Sequence, residues 1–296
     1  MGGYFSGIIT LLAINCIAAM GVSLFTGFTG IFTLGHAGYM AIGAYTAAIL
    51  IMKYHVWWFL AVICGGFLSM LAAYLIGLPT LKLIGDYYAI ASLGLGEAIR
   101  LVIENWNSMT RGARGYSGIP HFSTLPVAAG FMIVMAVAAL FIVNSNYGRA
   151  FKACRDDEVA ASLLGFHTSR CRVLSLAISG FYCGVAGALF GGFMRFIQPV
   201  MFDMTKSTEM VSSVIFGGLG SMSGCLVGAA ILTFITEYFR DISEYRMLIY
   251  GGVLVAVMVA RPEGLLGRNE LTLRYVRSVL SRFARRKPGG SETETP

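Results

Sequence analysis

Three short stretches hold the side chains best equipped for chemistry. "GRAFKACRDDEVAASLLGFHTSR", residues 148–170, carries Arg149, Lys152, Arg155, Asp156, Asp157, Glu158 and Arg170 in an otherwise apolar chain. In "DYYAIASLGLGEAIRLVIENW", Glu97, Arg100 and Glu104 stand at i, i+3 and i+7, which puts all three on one helical face. "NWNSMTRGARGYSGIPHF" sets Arg111 and Arg114 in a polar, glycine-rich stretch. None of these is a bond-making arrangement. "FGGLGSMSG" lacks the GK[ST] that lets a glycine-rich loop cradle phosphates, and HExxH, GxSxG and aspartate-rich metal loops are missing from the chain. His36, His55, His121 and His167 lie in separate segments. The six cysteines (16, 64, 154, 171, 183 and 225) show no CxxC or Cys/His ligand spacing and read as small packing residues. What remains is charge pairing and recognition, so an enzyme is disfavoured and no cofactor is expected in this chain.

The elements that position these groups are apolar. Only 12% of the 296 residues are charged, against about a quarter in a soluble domain, and 56% are hydrophobic. Residues 1–52 contain no Asp, Glu, Lys or Arg. A spanning helix takes about 20 apolar residues, and candidate spans fall near 5–27, 36–53, 57–78, 86–104, 126–144, 172–194, 207–219, 224–240 and 245–261. The fold class is therefore an all-α polytopic membrane bundle of about eight to ten spanning segments; long continuous runs argue against a β-barrel. The N-terminal stretch lacks the basic region and cleavage site of a leader peptide and reads as the first span. The net charge of +7 does not point to nucleic acid, because much of the excess lies in the tail, with Arg268, Arg274, Arg277, Arg282, Arg285, Arg286 and Lys287. Basic residues beside a span mark the cytoplasmic side and meet lipid headgroups. Residues 1–267 thus form the membrane domain, with the charged loop at 148–170. Residues 268–296 form a basic cytoplasmic tail, partly disordered, with a surface helix expected over 271–284. The same rule places loop 145–172 in the cytoplasm, and counting back over five crossings leaves the N-terminus outside.

Glycine clusters in "GFTGIFTLGHAGYMAIGAY", "GVAGALFGG" and "FGGLGSMSGCLVGAA". Small residues let helices approach closely, and broken helices are expected near 28–36 and 217–224, in different halves of the chain, as in many transporters. Charges inside spans are costly and usually functional. Glu97 and Arg100 read either as a self-neutralising ion pair or as the lining of a path for a polar solute. Tyr39, Tyr45, Tyr87 and Tyr88 are candidates for the same path. Lys206 and Glu209, in "DMTKSTEMVSS", read as a solvated helix start near the outer face. Arg111 and Arg114 belong either to a plain connector or to a docking loop for an extracytoplasmic partner.

A helix over 156–164, "DDEVAASLL", has acids in its first turn, where the macrodipole favours them, and Gly165 at its C-terminal end. Such a helix either braces the bundle or acts as a lever seated in a groove of a soluble subunit. Here the sequence resembles a known family. "GRAFKACRDDEVAASLLGFHTSRCRVLSLAISGFYCGVAGALFGG", with "GFTGIFTLGHAGYMAIGAYTAAIL", "GDYYAIASLGLGEAIRLVIENWNSMT", "VIFGGLGSMSGCLVGAAIL" and "ARPEGLLG", is similar to the branched-chain amino acid ABC transporter permeases of the LivM type. The resemblance implies that 148–170 contains the cytoplasmic coupling helix, with Arg155, Asp156, Asp157, Glu158, Ala160, Ala161 and Gly165 in the ATPase-coupling pattern. Gly165 stands seven positions after Glu158, one more than in the general importer form. It further implies two cytoplasmic ATPase subunits that hold ATP and Mg, a second related permease subunit, a periplasmic solute-binding protein and a bacterial inner-membrane location. The transported solute would be a branched-chain or related small amino acid. Relatives that carry urea or short amides share the same segments. A self-contained, ion-coupled transporter is the competing reading, with Glu97 and Glu209 as its only carboxylate candidates.

Overall fold

Long apolar runs without proline interruptions should coil into helices that satisfy their own backbone polar groups, since lipid offers no partners. The computed structural model describes residues 2–83 and 85–238, with 251, 252, 255, 259 and 264. It is a helical bundle: α1 (Gly2–Val22), α2 (His36–Tyr54), α3 (Trp58–Thr80), α4 (Asp86–Asn105), α5 (Asn107–Thr110), α6 (Leu125–Asn144), α7 (Asn146–Asp156), α8 (Glu158–Leu163), α9 (Thr168–Met194), α10 (Met204–Gly217) and α11 (Met222–Tyr238). A two-residue ladder joins β1 (Tyr116–Ser117) to β2 (Phe196–Ile197), antiparallel. Eight of the nine expected spans coincide with a helix to within a few residues. Most of the ninth, 245–261, and the basic tail lie outside the described residues; within it only 251, 252, 255 and 259 are described, and they are helical.

Four helices among the described residues are long and apolar enough to cross a membrane: α1 with its extension to Gly27, α3, α6 and α9. Their surroundings differ. The apolar windows of α9 and α1 are 83% and 72% buried by protein, whereas those of α3 and α6 are 33% and 22% buried. α9 is therefore the central post, with α1, α2 and α3 packed around it. α3 and α6 form the outer wall, where Phe67, Leu68, Leu71, Leu75, Leu78, Val134, Val137 and Phe141 are exposed at helical spacing. α2 is apolar but richer in glycine, alanine and tyrosine, and it is enclosed by α3 and α9.

Close packing here rests on backbone against backbone. A Cβ on Gly43 of α2 would stand 2.1 Å from the Gly184 carbonyl oxygen of α9, and one on Gly65 of α3 would stand 2.8 Å from the Gly43 oxygen. Only glycine permits this approach, and it explains the "GYMAIGAY" and "GVAGALFGG" clusters.

Both expected breaks are present. α1 runs into a π-helical turn, Ser23–Gly27, and the chain is non-helical over 30–35 before α2 begins. The donors at the start of α2 find partners on other helices: Leu34 N donates to Ser92 Oγ (3.0 Å) and Ala37 N to Ser207 Oγ (2.9 Å). His36, fully buried, sits 2.7 Å from Ser179 Oγ through Nε2. The second break, 218–221, separates α10 from α11. Orphan amides at helix starts are costly when buried, and these serines tie the first break to α4 and α10.

Candidate functional site

The charged loop folds into two helices rather than the single one expected over 156–164. α7 ends at Asp156, and Asp157 is extended (φ −157°), so α8 starts at Glu158. The carboxylate of Asp157 accepts from Val159 N (2.8 Å) and Ala160 N (3.0 Å), capping α8. The sequence placed all three acids inside the first turn of one helix; Asp157 is instead the cap of α8. Glu158 instead receives a hydrogen bond from Arg172 of α9 (2.5 Å), which fixes α8 against that helix. At the other end Gly165, with φ +87°, closes a Schellman turn: Phe166 N donates to Ala161 O (3.1 Å) and Gly165 N to Ser162 O (3.0 Å).

α8 buries Ala161 and presents the rest. Val159, Leu163 and Leu164 are 69%, 84% and 76% exposed, in a polar loop rather than on the apolar wall of the bundle. Ala160 and Gly165 are exposed beside them, and a Cβ on Gly165 would meet nothing within 4 Å. The sequence pattern names Ala160, Ala161 and Gly165. It gave no weight to Val159, Leu163 and Leu164, whose exposure depends on how α8 is turned. Cys154 of α7 packs underneath, and burial pushes its thiol up to about 11, so it stays protonated and acts as an apolar group.

Arg155 points the other way, into the bundle. Its Nη1 donates to the Gly27 carbonyl (3.1 Å) at the end of the π turn. The same side chain lies against Gly30 and Gly220, both with positive φ (+74° and +88°), where a Cβ would stand 2.8 Å from Arg155 Cγ and 2.3 Å from Nη1. One guanidinium from the loop thus touches both helix breaks, 193 residues apart in sequence (220 minus 27). Lys152 adds a contact over the Phe28 ring, 5.5 Å from its centroid. Asp156, by contrast, is exposed and lies 3.5 Å from Arg155.

On α4, Arg100 bridges Glu97 (2.7 Å) and Glu104 (2.9 Å), a three-charge ladder that neutralises most of itself. Glu97 also accepts from Met204 N (3.2 Å), tying α4 to the start of α10. The four tyrosines are not one cluster. Tyr39 and Tyr88 are buried close to the His36 and Phe25 rings. Tyr45 is buried against Tyr116 and Phe202, and Tyr87 is exposed.

At the opposite end, the segment carrying Arg111 and Arg114 is folded rather than slack. Thr110 Oγ1 donates to Ile103 O (2.6 Å), Tyr116 Oη donates to Met109 O (2.5 Å), and the Arg111 guanidinium lies 5.0 Å from the Tyr116 ring centroid. Arg111 and Arg114 line an open depression beside the β1–β2 ladder. A separate cavity of about 480 Å³ lies between α1, α9, α10 and α11 and contains Lys206, Glu209, Asn15 and Thr233. Lys206 and Glu209 stand in the first turns of α10, as the sequence suggested, and line this half-open cavity with side chains 16% and 33% exposed.

Comparison with known proteins agrees with this architecture. Residues 4–258 match the family described as branched-chain amino acid transport system / permease component. The high-affinity branched-chain amino acid transport system permease protein LivM of Salmonella typhimurium is 33% identical over 293 residues, 88% of this chain and 69% of that protein. LivM of Escherichia coli K12 aligns with the same identity and coverage. The permease protein LivH of Escherichia coli K12 is 27% identical over 298 residues, 90% of this chain and 95% of LivH. No solved structure matches. A multi-pass helical bundle, a profile match across most of its length and a third of residues shared with LivM lead to one conclusion: the chain belongs to the branched-chain amino acid transport system permease family.

Proposed function

We propose that this chain is one transmembrane half of an ABC importer for branched-chain or related small amino acids, set in the bacterial inner membrane. In this reading a second permease subunit supplies the other half of the solute path. Two cytoplasmic ATPase subunits hold ATP and Mg, and this chain contributes no hydrolytic site of its own. A periplasmic solute-binding protein delivers the solute at the end that carries Arg111 and Arg114.

The observation that carries the reading is the exposed apolar face of α8. Val159, Leu163 and Leu164 project from a capped, braced helix in a charged loop. Burying a leucine side chain is worth about 1.5–3 kcal/mol, so this face gains most by lying in a groove of a soluble partner, with Asp156 and Glu158 setting register at its rim. Closure of the ATPase pair on ATP would then push α8. α7 carries that movement into the bundle through Arg155, which joins the loop to the two breaks. The breaks lie between α1 and α2 and between α10 and α11, so in this reading the rocking of these helices opens and closes the path.

The test is co-purification from native membranes with wild type and Leu163→Asp. Leu163 touches solvent, so the bundle should keep its thermal stability, while the ATPase subunits should be lost from the purified complex. Retention of the ATPases by the variant would sink the docking role of α8. Absence of ATPases from an intact wild-type complex would sink the importer reading and favour an ion-coupled transporter.

A further inference from the structure

Two thiols meet where the charged loop joins the central post. Cys154 of α7 is buried (5% exposed), and Cys171, in the first turn of α9, is half-buried. Their side chains are hydrogen-bonded to one another. They stand 17 positions apart in sequence (171 minus 154), and the whole of α8 lies between them. The other cysteines are placed differently: Cys16, Cys183 and Cys225 are buried, and Cys64 lies exposed on α3. Each thiol of the pair has a neighbour in sequence that couples the loop to the bundle. Arg155, next to Cys154, donates to the Gly27 carbonyl and lies against Gly220. Arg172, next to Cys171, pairs with Glu158 of α8 (2.5 Å). The Arg172 Nε is buried and has no hydrogen-bond partner among the described residues. A bare buried donor is costly, and its charge acts on the Cys154 thiol, so negative charge developing on that sulfur is favoured.

We propose that Cys154 and Cys171 form a peroxide-sensitive pair whose disulfide clamps α7 to α9 and stops import. Bond formation needs only the two thiols and a hydroperoxide. Its effect on import rests on the importer reading above, in which α7 carries the push from α8 into the bundle. Cys171 is the more accessible thiol and reacts first. Its sulfur attacks one peroxide oxygen, the O–O bond breaks, and the departing hydroxide leaves as water with the Cys171 proton. The Cys154 sulfur then attacks the Cys171 sulfenic acid. The S–S bond forms, the S–O bond breaks, and the hydroxyl leaves as water with the Cys154 proton. Two electrons pass from the sulfurs to the peroxide, and a dithiol reductant returns them. Until then Cys154 stays protonated and packs as an apolar group, because burial holds its thiol up. Disulfides on the cytoplasmic side of a membrane are mostly transient and redox-sensing, and the basic residues place this loop on that side. The cross-link fixes α7 against α9 but leaves the exposed face of α8 free, so transmission is lost while docking is kept.

The test uses proteoliposomes carrying the complete transporter, with labelled L-leucine as the solute probe. After hydrogen peroxide, free thiols are blocked with N-ethylmaleimide and chymotryptic peptides are read by mass spectrometry without reduction. A peptide joining Cys154 to Cys171 should appear, and import should fall in step with it. Chains that are cross-linked do not transport, so about nine-tenths cross-linking lowers import about tenfold. Dithiothreitol should remove the linked peptide and restore import. Cys154→Ala and Cys171→Ser should import normally when reduced and keep importing after peroxide. Cys154→Ala still allows Cys171 to be oxidised, so it separates the cross-link from oxidation alone. Failure of the 154–171 peptide to form while Cys171 is consumed would overturn the proposal. So would a complete cross-link with import unchanged, or an equal loss of import in Cys154→Ala. If the reduced wild type imports nothing, the importer reading fails, while the linked peptide still reports on the thiol pair.

Discussion

Replacing Arg155 should uncouple ATP hydrolysis from transport without dismantling the protein. Arg155 donates one charged hydrogen bond, 3.1 Å long, to the Gly27 carbonyl, and its stem fills the angle between Gly30 and Gly220. Hydrogen bonds to charged groups contribute about 1.5–3 kcal/mol. The side chain is 19% exposed, so the lower end of that range applies. The exposed Asp156 contact adds little. About 1.5 kcal/mol corresponds to roughly a tenfold change in the equilibrium that links the loop to the breaks. In proteoliposomes carrying the complete transporter, Arg155→Ala should retain ATP hydrolysis and import roughly tenfold less solute per ATP. Gly220→Ala should do the same, because its Cβ would stand 2.3 Å from Nη1 and displace the guanidinium. The double variant should be no worse than either single one, the mark of two residues acting through one contact. An unchanged solute-to-ATP ratio in Arg155→Ala, or losses that simply add, would refute the argument.

Gly43→Ala should destabilise the bundle by about 3 kcal/mol, the upper part of the usual overpacking range, because the obstacle is the Gly184 backbone and cannot rotate away. Gly94→Ala on α4, where a Cβ meets nothing within 4 Å, is the control and should leave thermal unfolding in detergent unchanged or slightly raised. Asp157→Ala removes the cap of α8 at a cost of about 1 kcal/mol. Amide exchange in α8 should then quicken about fivefold while α9 is unaffected; unchanged exchange would show that Arg172 and the Schellman turn hold α8 unaided.

The spans were legible because one-dimensional hydropathy is what the bilayer selects on, and eight expected segments match helices. The Glu97–Arg100–Glu104 ladder was legible too, since i, i+3 and i+7 spacing fixes a face before any tertiary contact forms. Long-range placement was not. Nothing local to Lys206 and Glu209 tells whether α10 turns them to solvent or toward Asn15, which comes from a helix 191 residues earlier in the sequence. The same holds for Arg155, whose partners Gly27 and Gly220 belong to opposite ends of the chain. The division of the charged loop at Asp157 was missed for a different reason. Asp156 and Asp157 are equally good caps by residue type, and the long-range pairing of Glu158 with Arg172 favours Asp157.

The position of α1 has a consequence for how the protein is made. α1 ends up wrapped by α9 and α11, yet it is synthesised well before them, since α9 begins only at Thr168. At about 5–20 residues per second, α1 waits on the order of ten seconds before α9 exists. During that interval the face that α9 will cover has no partner from that helix. The uncharged run of residues 1–52 suits that solitary period as well as the finished bundle. Asn15, the most polar side chain of α1, must sit through the delay without Lys206 and Thr233. An added charge on α1 would thus be felt first as a failure of membrane insertion, before any question of transport arises.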